Sequence, residues 1–412
     1  MKRAHRSPSH SAYRLLGVLV LAALAAVLSV SCGSGSSGGG GSNGGGGPAV
    51  IERGPQLAQL TDTSIVIAWR TSATATGAVD YGTTMAFGAT APSAGPGQEH
   101  VVRLEGLLPD STYFYHVLVD GTAEAEIPTF RTAPADPNAS FRFAAFADCG
   151  AGNARQLEVA ARVLESNPLF AVLPGDIVYE SGATGELDPK YFRPYVDVID
   201  RIPFYPALGN HDVRTRNGQP LLDALYLPVN DQDGTERYFS FDCANTHLVA
   251  LDSNSPTELG SPQWTWLDGD LGASAAQWKV VYFHHPPYSS SHHGSDLQIR
   301  GSLGPLFDKH HVDLVLCGHD HDYERTFPLL AEQVVDANQE PSYTDPRGTV
   351  YVVTGGGGRS LYPAGTSFFT AKSQSIHHFT QVDVSGPTIH LRAIAFDGTL
   401  IDEAQITKSG GP

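Results

Sequence analysis

Apolar positions along this chain follow two rhythms. Residues 64–69, 77–81 and 112–117 are short alternating runs with turn residues between them, the spacing of antiparallel strands in a small β-sandwich. From Ser140 the pattern changes to apolar runs of strand length alternating with helical periodicity, which predicts an α/β layer fold. The expected strands are 141–147, 169–173, 204–208, 279–283 and 312–316, with helices over 154–166, 189–202, about 262–271 and 303–310. A hairpin is expected from 238–241 and 246–251, and the end of the chain reads as β, with strands at 349–354, 379–384 and 388–396. Two sheets packed together and flanked by helices, preceded by a small all-β sandwich, account for this order.

Composition narrows the class. The 412 residues suffice for two or three domains, and 41% hydrophobic with 17% charged residues is a globular balance. The formal charge is −17, and without Lys2, Arg3, Arg6 and Arg14 at the start the rest stands at −21, so a nucleic-acid partner is not expected. Residues 1–32 have a basic start, an apolar run and then small residues at Ser29, Ser31 and Cys32, the layout of a signal peptide. Cys32 opens a Gly/Ser tract that makes residues 33–49 a flexible tether. This resembles a bacterial lipoprotein signal and implies a lipid anchor at Cys32 as the membrane contact, although Ser29 stands where such signals carry Leu. Periplasmic, cell-surface or secreted placement follows, with simple secretion as the alternative. The folded units are then 50–134 and 140–408, with the boundary at 134–138. Cys149, Cys243 and Cys317 cannot all pair and lack a CxxC partner, so each is expected to be a small buried core residue.

Candidate chemistry sits directly behind the strands. The sequence holds Asp148-Cys149-Gly150, Gly175-Asp176-Ile177-Val178-Tyr179, Gly209-Asn210-His211-Asp212, His284-His285-Pro286-Pro287-Tyr288 and Gly318-His319-Asp320-His321, each after an apolar run. Any one of them is ordinary turn chemistry; five in succession at strand ends describe a site. Asp176, at a strand's carboxyl end, can bridge two metal ions, and Tyr179 offers a phenolate suited to a hard trivalent ion.

These five blocks resemble those of the purple acid phosphatases, a branch of the calcineurin-like metallophosphoesterases, with Val281-Tyr282-Phe283-His284 as the fourth. The resemblance covers about 140–325. The preceding unit, with Leu107-Leu108-Pro109-Asp110-Ser111-Thr112-Tyr113, resembles a fibronectin type III domain with its tyrosine corner, and Trp69 and Tyr113 are expected to be core residues there. Carried over, the resemblance implies a ferric ion on Asp148, Tyr179 and His321, with Asp176 shared. A divalent ion, Zn, Fe or Mn, would be held by Asp176, Asn210, His284 and His319. It further implies an acid phosphatase hydrolysing phosphate monoesters of small molecules by attack of a metal-bound hydroxide. His211, and His292 or His293, would be the catalytic histidines that protonate the leaving alcohol or steady the phosphoryl group. The alternatives are a phosphodiesterase using the same metals and a non-catalytic surface binding protein.

Other residues read as structural. His285 is expected to turn away from the site, His310 and His311 to close a helix, and His377 and His378 to lie at the surface or in packing. Residues 355–358 are glycines without the Lys-Ser/Thr of a nucleotide loop and are expected to let backbone pass close to the site. No Gly-x-Ser-x-Gly setting suggests a serine hydrolase.

Overall fold

A computed structural model describes residues 47–410 apart from Gln232 and Gln339. The expected leader, Cys32 and nearly all of the tether lie outside the described residues.

Two seven-stranded sheets carry the molecule. In the first, the strands Phe204–Ala207, Phe170–Pro174 and Phe141–Ala145 run parallel, and His378–Ser385, Thr388–Ala395 and Leu400–Thr407 continue it antiparallel. In the second, Thr246–Ala250, Trp278–Tyr282, Leu314–Cys317 and Val350–Thr354 are parallel neighbours. Their residues are buried almost without exception, as strands covered on both faces must be. The backbone N–H of Ala147 donates to the Thr354 carbonyl at 2.9 Å, which joins the two sheets where their parallel strands end.

The helix expected over 189–202 is instead two short pieces, a wide turn Asp188–Phe192 and Val196–Ile199, with a third, Thr184–Leu187, just before them. Its periodicity is helical, so the cause is tertiary. Asp188 is held by Arg53 at 2.8 and 3.1 Å, and the Asp200 carbonyl accepts the Tyr115 hydroxyl at 2.7 Å, so both ends are fastened to the amino-terminal sandwich. The helix expected from 303 begins earlier and spans Leu297–His310, because the Asp296 carboxylate caps it by accepting from the Ile299 N–H at 2.9 Å. His310 and His311 do close it. Strands Tyr323–Thr326, Thr370–Gln374 and Leu400–Thr407 lie beyond those expected from the apolar runs.

The amino-terminal unit is all β, with sheets Ile51–Ala58, Ser64–Ala75, Gly97–Glu105 and Ala89–Pro92, Gly77–Gly82, Thr112–Val119. Trp69 and Tyr113 are buried in its core, and the Tyr113 hydroxyl accepts the Leu108 N–H at 2.8 Å across the corner turn. The chain crosses from this unit near 134–138 without a break in packing. Leu57, Trp69 and Tyr115 belong to the same hydrophobic core as Phe143, Leu173 and Tyr205, and the described residues fall in one compact unit. Cys149, Cys243 and Cys317 are buried and unbonded, as expected.

One polar clamp outside the core sets a pH dependence. His247, nearly buried, donates Nδ1 to Asp242 at 2.7 Å and Nε2 to Asp270 at 2.8 Å, tying the hairpin Phe239–Cys243/Thr246–Ala250 to the helix Pro262–Ala273. Burial opposes its charge, but the two carboxylates outweigh that and push its pKa up to about 9 from 6.5. A folded-state value above the unfolded one gives stabilisation that is complete below about pH 6.5 and lost as pH rises through about 9. Asp242 is largely exposed, so solvent screening trims the effect to on the order of 2 kcal/mol. Urea unfolding of His247→Gln against the parent should therefore differ at pH 6 and converge above pH 9.5; equal stability at both pH values would contradict the clamp.

Candidate metal centre

All five polar blocks leave the carboxyl ends of parallel strands, from both sheets, and meet at one edge. Three of the residues that turn there, Asp148, Asp176 and His319, have positive φ of 57°, 52° and 72°, the left-handed region that side chains other than glycine occupy at a cost. The turns are tight because the loops lie against one another. A Cβ at Gly209 would stand 2.2 Å from Asp176 Oδ1, and one at Gly175 would stand 2.6 Å from His284 Nδ1. Residues 355–358 pass as close: a Cβ at Gly355 would meet Asp148 Oδ2 at 2.8 Å, so the expected role of that run is what the backbone shows.

The seven expected ligands form two adjoining groups. In one, Asp148 Oδ1 lies 2.8 Å from the Tyr179 oxygen and 3.4 Å from His321 Nε2, which is 3.2 Å from the same tyrosine oxygen. In the other, Asn210 Oδ1 lies 2.9 Å from His284 Nε2 and 3.1 Å from His319 Nδ1, and those two nitrogens are 3.2 Å apart. Asp176 Oδ2 stands 3.5 Å from His284 Nε2, and ligating atoms of Asp148, Asp176 and His284 fall within 4.8 Å of one another, all three side chains buried. Asp176 thus sits between the groups.

Proton positions decide what these contacts mean. His284 Nδ1 donates to the Pro174 carbonyl at 3.0 Å, and burial, then His285 and His319, disfavours a second proton, so its Nε2 keeps a lone pair facing the Asn210 oxygen, acceptor against acceptor. In the other group His321 Nδ1 donates to the Ser360 carbonyl at 2.7 Å and the Tyr179 hydroxyl donates to Asp148. Burial opposes charge on His321, but its hydrogen bond to Asp148 outweighs that and raises its pKa, so protons stand there where a cation could take their place. Both groups therefore fit metal ions. Titration points the same way. Burial, then the charges of Asp212 and Asp148, raises Asp176 well above the carboxylate range, while burial, then His285 and His319, lowers His284 well below the histidine range. Buried groups this uncomfortable in their charged forms mark a place where ligand or metal charge is missing.

Two buried carboxylates hold the loops. Asp212 accepts from the Ile177, Val178 and Gly209 N–H groups at 3.3, 3.0 and 2.8 Å, so it fastens the Asp176 loop to the Asn210 loop. Asp320 accepts from the His293 and Gly294 N–H groups at 2.8 and 3.1 Å and from Ser289 Oγ, fixing the loop of His292 and His293. Both lie inside the polar blocks, but nothing in sequence says that a carboxylate will face several buried donors.

The expected catalytic histidines surround the centre unequally. His293 stacks on His319 with centroids 4.1 Å apart, and His292 packs 4.7 Å from Tyr362, whose ring stacks 4.2 Å from His321. Both are exposed at the mouth. His211 is placed otherwise than expected: its Nδ1 donates to the Glu180 carbonyl at 2.7 Å and its Nε2 accepts from Arg214 at 3.2 Å, so neither nitrogen is left for a substrate proton. His285 also departs from expectation. The strand ends at Tyr282, so side chains no longer alternate at 284 and 285, and the His285 ring lies 4.6 Å from His319 with Nδ1 bonded to Ser253. His378 is buried against Thr354.

Residues 141–323 match the family model of the calcineurin-like phosphoesterases. Relatives and solved structures similar to the chain include purple acid phosphatases. It is 28% identical over 278 residues to purple acid phosphatase 21 of Arabidopsis thaliana, covering 64% of this chain and 59% of that one. It is 29% identical over 310 residues to a Mycobacterium tuberculosis protein without an assigned activity, covering 62% and 57%. The chain therefore spans less than two thirds of the length of either relative. In fold it is similar to a purple acid phosphatase from yellow lupin seeds, with a TM-score of 0.78 at 19% identity over 88% of this chain and 74% of that one.

The Asp212 carboxylate yields a direct test. Asp212→Ala leaves three buried N–H donors without an acceptor, each worth about 1–3 kcal/mol, so stability should fall by several kcal/mol and metal content with it. Asp212→Asn keeps one acceptor oxygen for part of these donors, with its NH2 against the rest, and should lose less on both counts. Unfolding curves and metal analysis of the two variants check this, and equal behaviour would remove Asp212 from the role.

Proposed function

We propose that this chain is an exported acid phosphatase with a dinuclear metal centre, hydrolysing phosphate monoesters of small molecules. The observation that supports it most is the pair of inward-facing, metal-ligand-type groups joined at Asp176. Asp148, Tyr179 and His321 with Asp176 would hold the harder, ferric ion, and Asn210, His284 and His319 with Asp176 the divalent one. Anionic oxygens gather on the first, while imidazoles and an amide leave the second more Lewis-acidic. When bound, such a pair supplies Lewis acidity to phosphoryl oxygens and acidifies water.

The remaining work falls to the chain's own side chains. His293 against His319 and His292 against Tyr362 flank the mouth, where an imidazolium meets the leaving oxygen of an ester and returns a proton to it. Asp320 holds both in place through the backbone of His293 and Gly294. His211, engaged at both nitrogens, orients the Tyr179 side of the site; its ring lies 4.5 Å from that of Tyr179. The basic start, the apolar run and Cys32 support export with lipidation, so Cys32→Ala should move the protein from membrane to soluble fractions.

Asp176→Asn should lower turnover of p-nitrophenyl phosphate by orders of magnitude, roughly 100-fold or more, while the protein stays folded, because one shared ligand serves both ions. Near-parental turnover in that variant would sink the assignment. Comparing p-nitrophenyl phosphate with bis-p-nitrophenyl phosphate tests the ester class: faster diester cleavage would replace the monoester reading. Tyr179→Phe should abolish a visible phenolate-to-iron absorption band that the parent shows.

A further inference from the structure

Arg359, one residue past the glycine run, is not among the seven ligands or the histidines at the mouth. Its backbone N–H donates to the Asp148 carbonyl at 2.9 Å, so its place is set by a ligand's own main chain. Its guanidinium carbon lies 4.6 Å from the centroid of the Tyr179 ring, and its two terminal nitrogens grip both oxygens of Glu180, the next residue, at 2.6 and 2.9 Å. The arginine side chain is about a third exposed and that of Glu180 more than half, whereas Tyr179 is wholly buried. The cation therefore forms part of the lid over the phenol ring, facing solvent on its other side.

We infer that Arg359 is a positioning residue that sets the electron-donating strength of Tyr179 toward the ferric ion, with Glu180 as its counter-charge. This rests on the reading of Tyr179 as an iron ligand. A cation over an aromatic face is attracted to the ring's π-electrons, and more strongly when the ring carries a phenolate charge. The same attraction lowers the energy of the filled ring orbitals from which a phenolate donates to iron. Outer groups of this kind tune a metal through its ligand without touching the ion. A bidentate carboxylate holds the guanidinium in one orientation over the ring, which a lysine ammonium in its place could not reproduce. Glu180 offsets part of the positive charge, so the two residues together fix how much reaches the ring.

The visible spectrum of the iron-loaded protein tests this without reference to turnover. In Arg359→Ala the phenolate-to-iron band should move to longer wavelength, and Arg359→Lys, keeping a charge without the fork, should fall between that variant and the parent. Glu180→Gln leaves the guanidinium but removes its counter-charge, so its band should move to shorter wavelength. An unmoved band in Arg359→Ala overturns the inference while leaving Tyr179 as a ligand. Should Arg359→Ala fail to fold or to keep iron, Glu180→Gln decides, since an unmoved band there is equally fatal. A parent protein that takes up iron and shows no such band overturns the assignment of Tyr179 itself, and the role of Arg359 falls with it.

Discussion

A buried cluster of metal-ligating side chains, drawn from loops of both sheets, governs this structure. Asp148, Tyr179 and His321 on one side and Asn210, His284 and His319 on the other bring polar atoms to about a hydrogen bond's length within each group, with Asp176 between them, in a place where burial penalises charge. Bringing so many polar groups together under burial costs energy, and the chain spends conformational energy to keep them together: positive φ at three of the residues that turn there, glycines where loops touch, and buried carboxylates that accept backbone donors. The centre can tolerate that tension because two rigid parallel sheets deliver the loops from both sides, and cations relieve it.

Rigidity behind the site comes from polar connections as much as from apolar burial. Arg325, buried just after the His319/His321 block, reaches Asp402 through two nitrogens at 2.7 and 3.2 Å and donates to the Tyr343 hydroxyl at 2.9 Å, while the Tyr323 hydroxyl donates to the same aspartate at 2.8 Å. These bonds run from the strand Tyr323–Thr326 of one sheet to Leu400–Thr407 and Ser342–Thr344 of the other. A buried pair with its hydrogen bonds satisfied adds little net stability over an apolar pair, but it permits one relative placement of the sheets. One relative placement is what seven converging polar side chains from loops of two sheets require.

Much of this was legible in the order of residues. Strand-sized apolar runs followed at once by Asp, Asn or His announced the loops, since in parallel sheets polar chemistry collects at the carboxyl ends, and all seven expected ligands do converge. Less legible were features governed by distant neighbours. Periodicity over 189–202 is helical, yet Arg53 and Tyr115, more than eighty residues away in sequence, hold its ends apart from a straight helix. His211 looked like a free imidazole beside a ligand, and the Glu180 carbonyl with Arg214 occupies both of its nitrogens. His285 looked like the outward half of an alternating pair, but the strand had already ended.

The residues alone determined which groups are available at each strand end and that their number and kind suit two cations, because ligand chemistry is a property of side-chain type. Tertiary structure decided which atoms face which, where protons sit on the imidazoles, and that an arginine just past the glycine run comes to rest over a tyrosine nearly two hundred positions earlier. Those outcomes depend on distances of a few ångströms between segments that no local preference brings together, and only packing sets them.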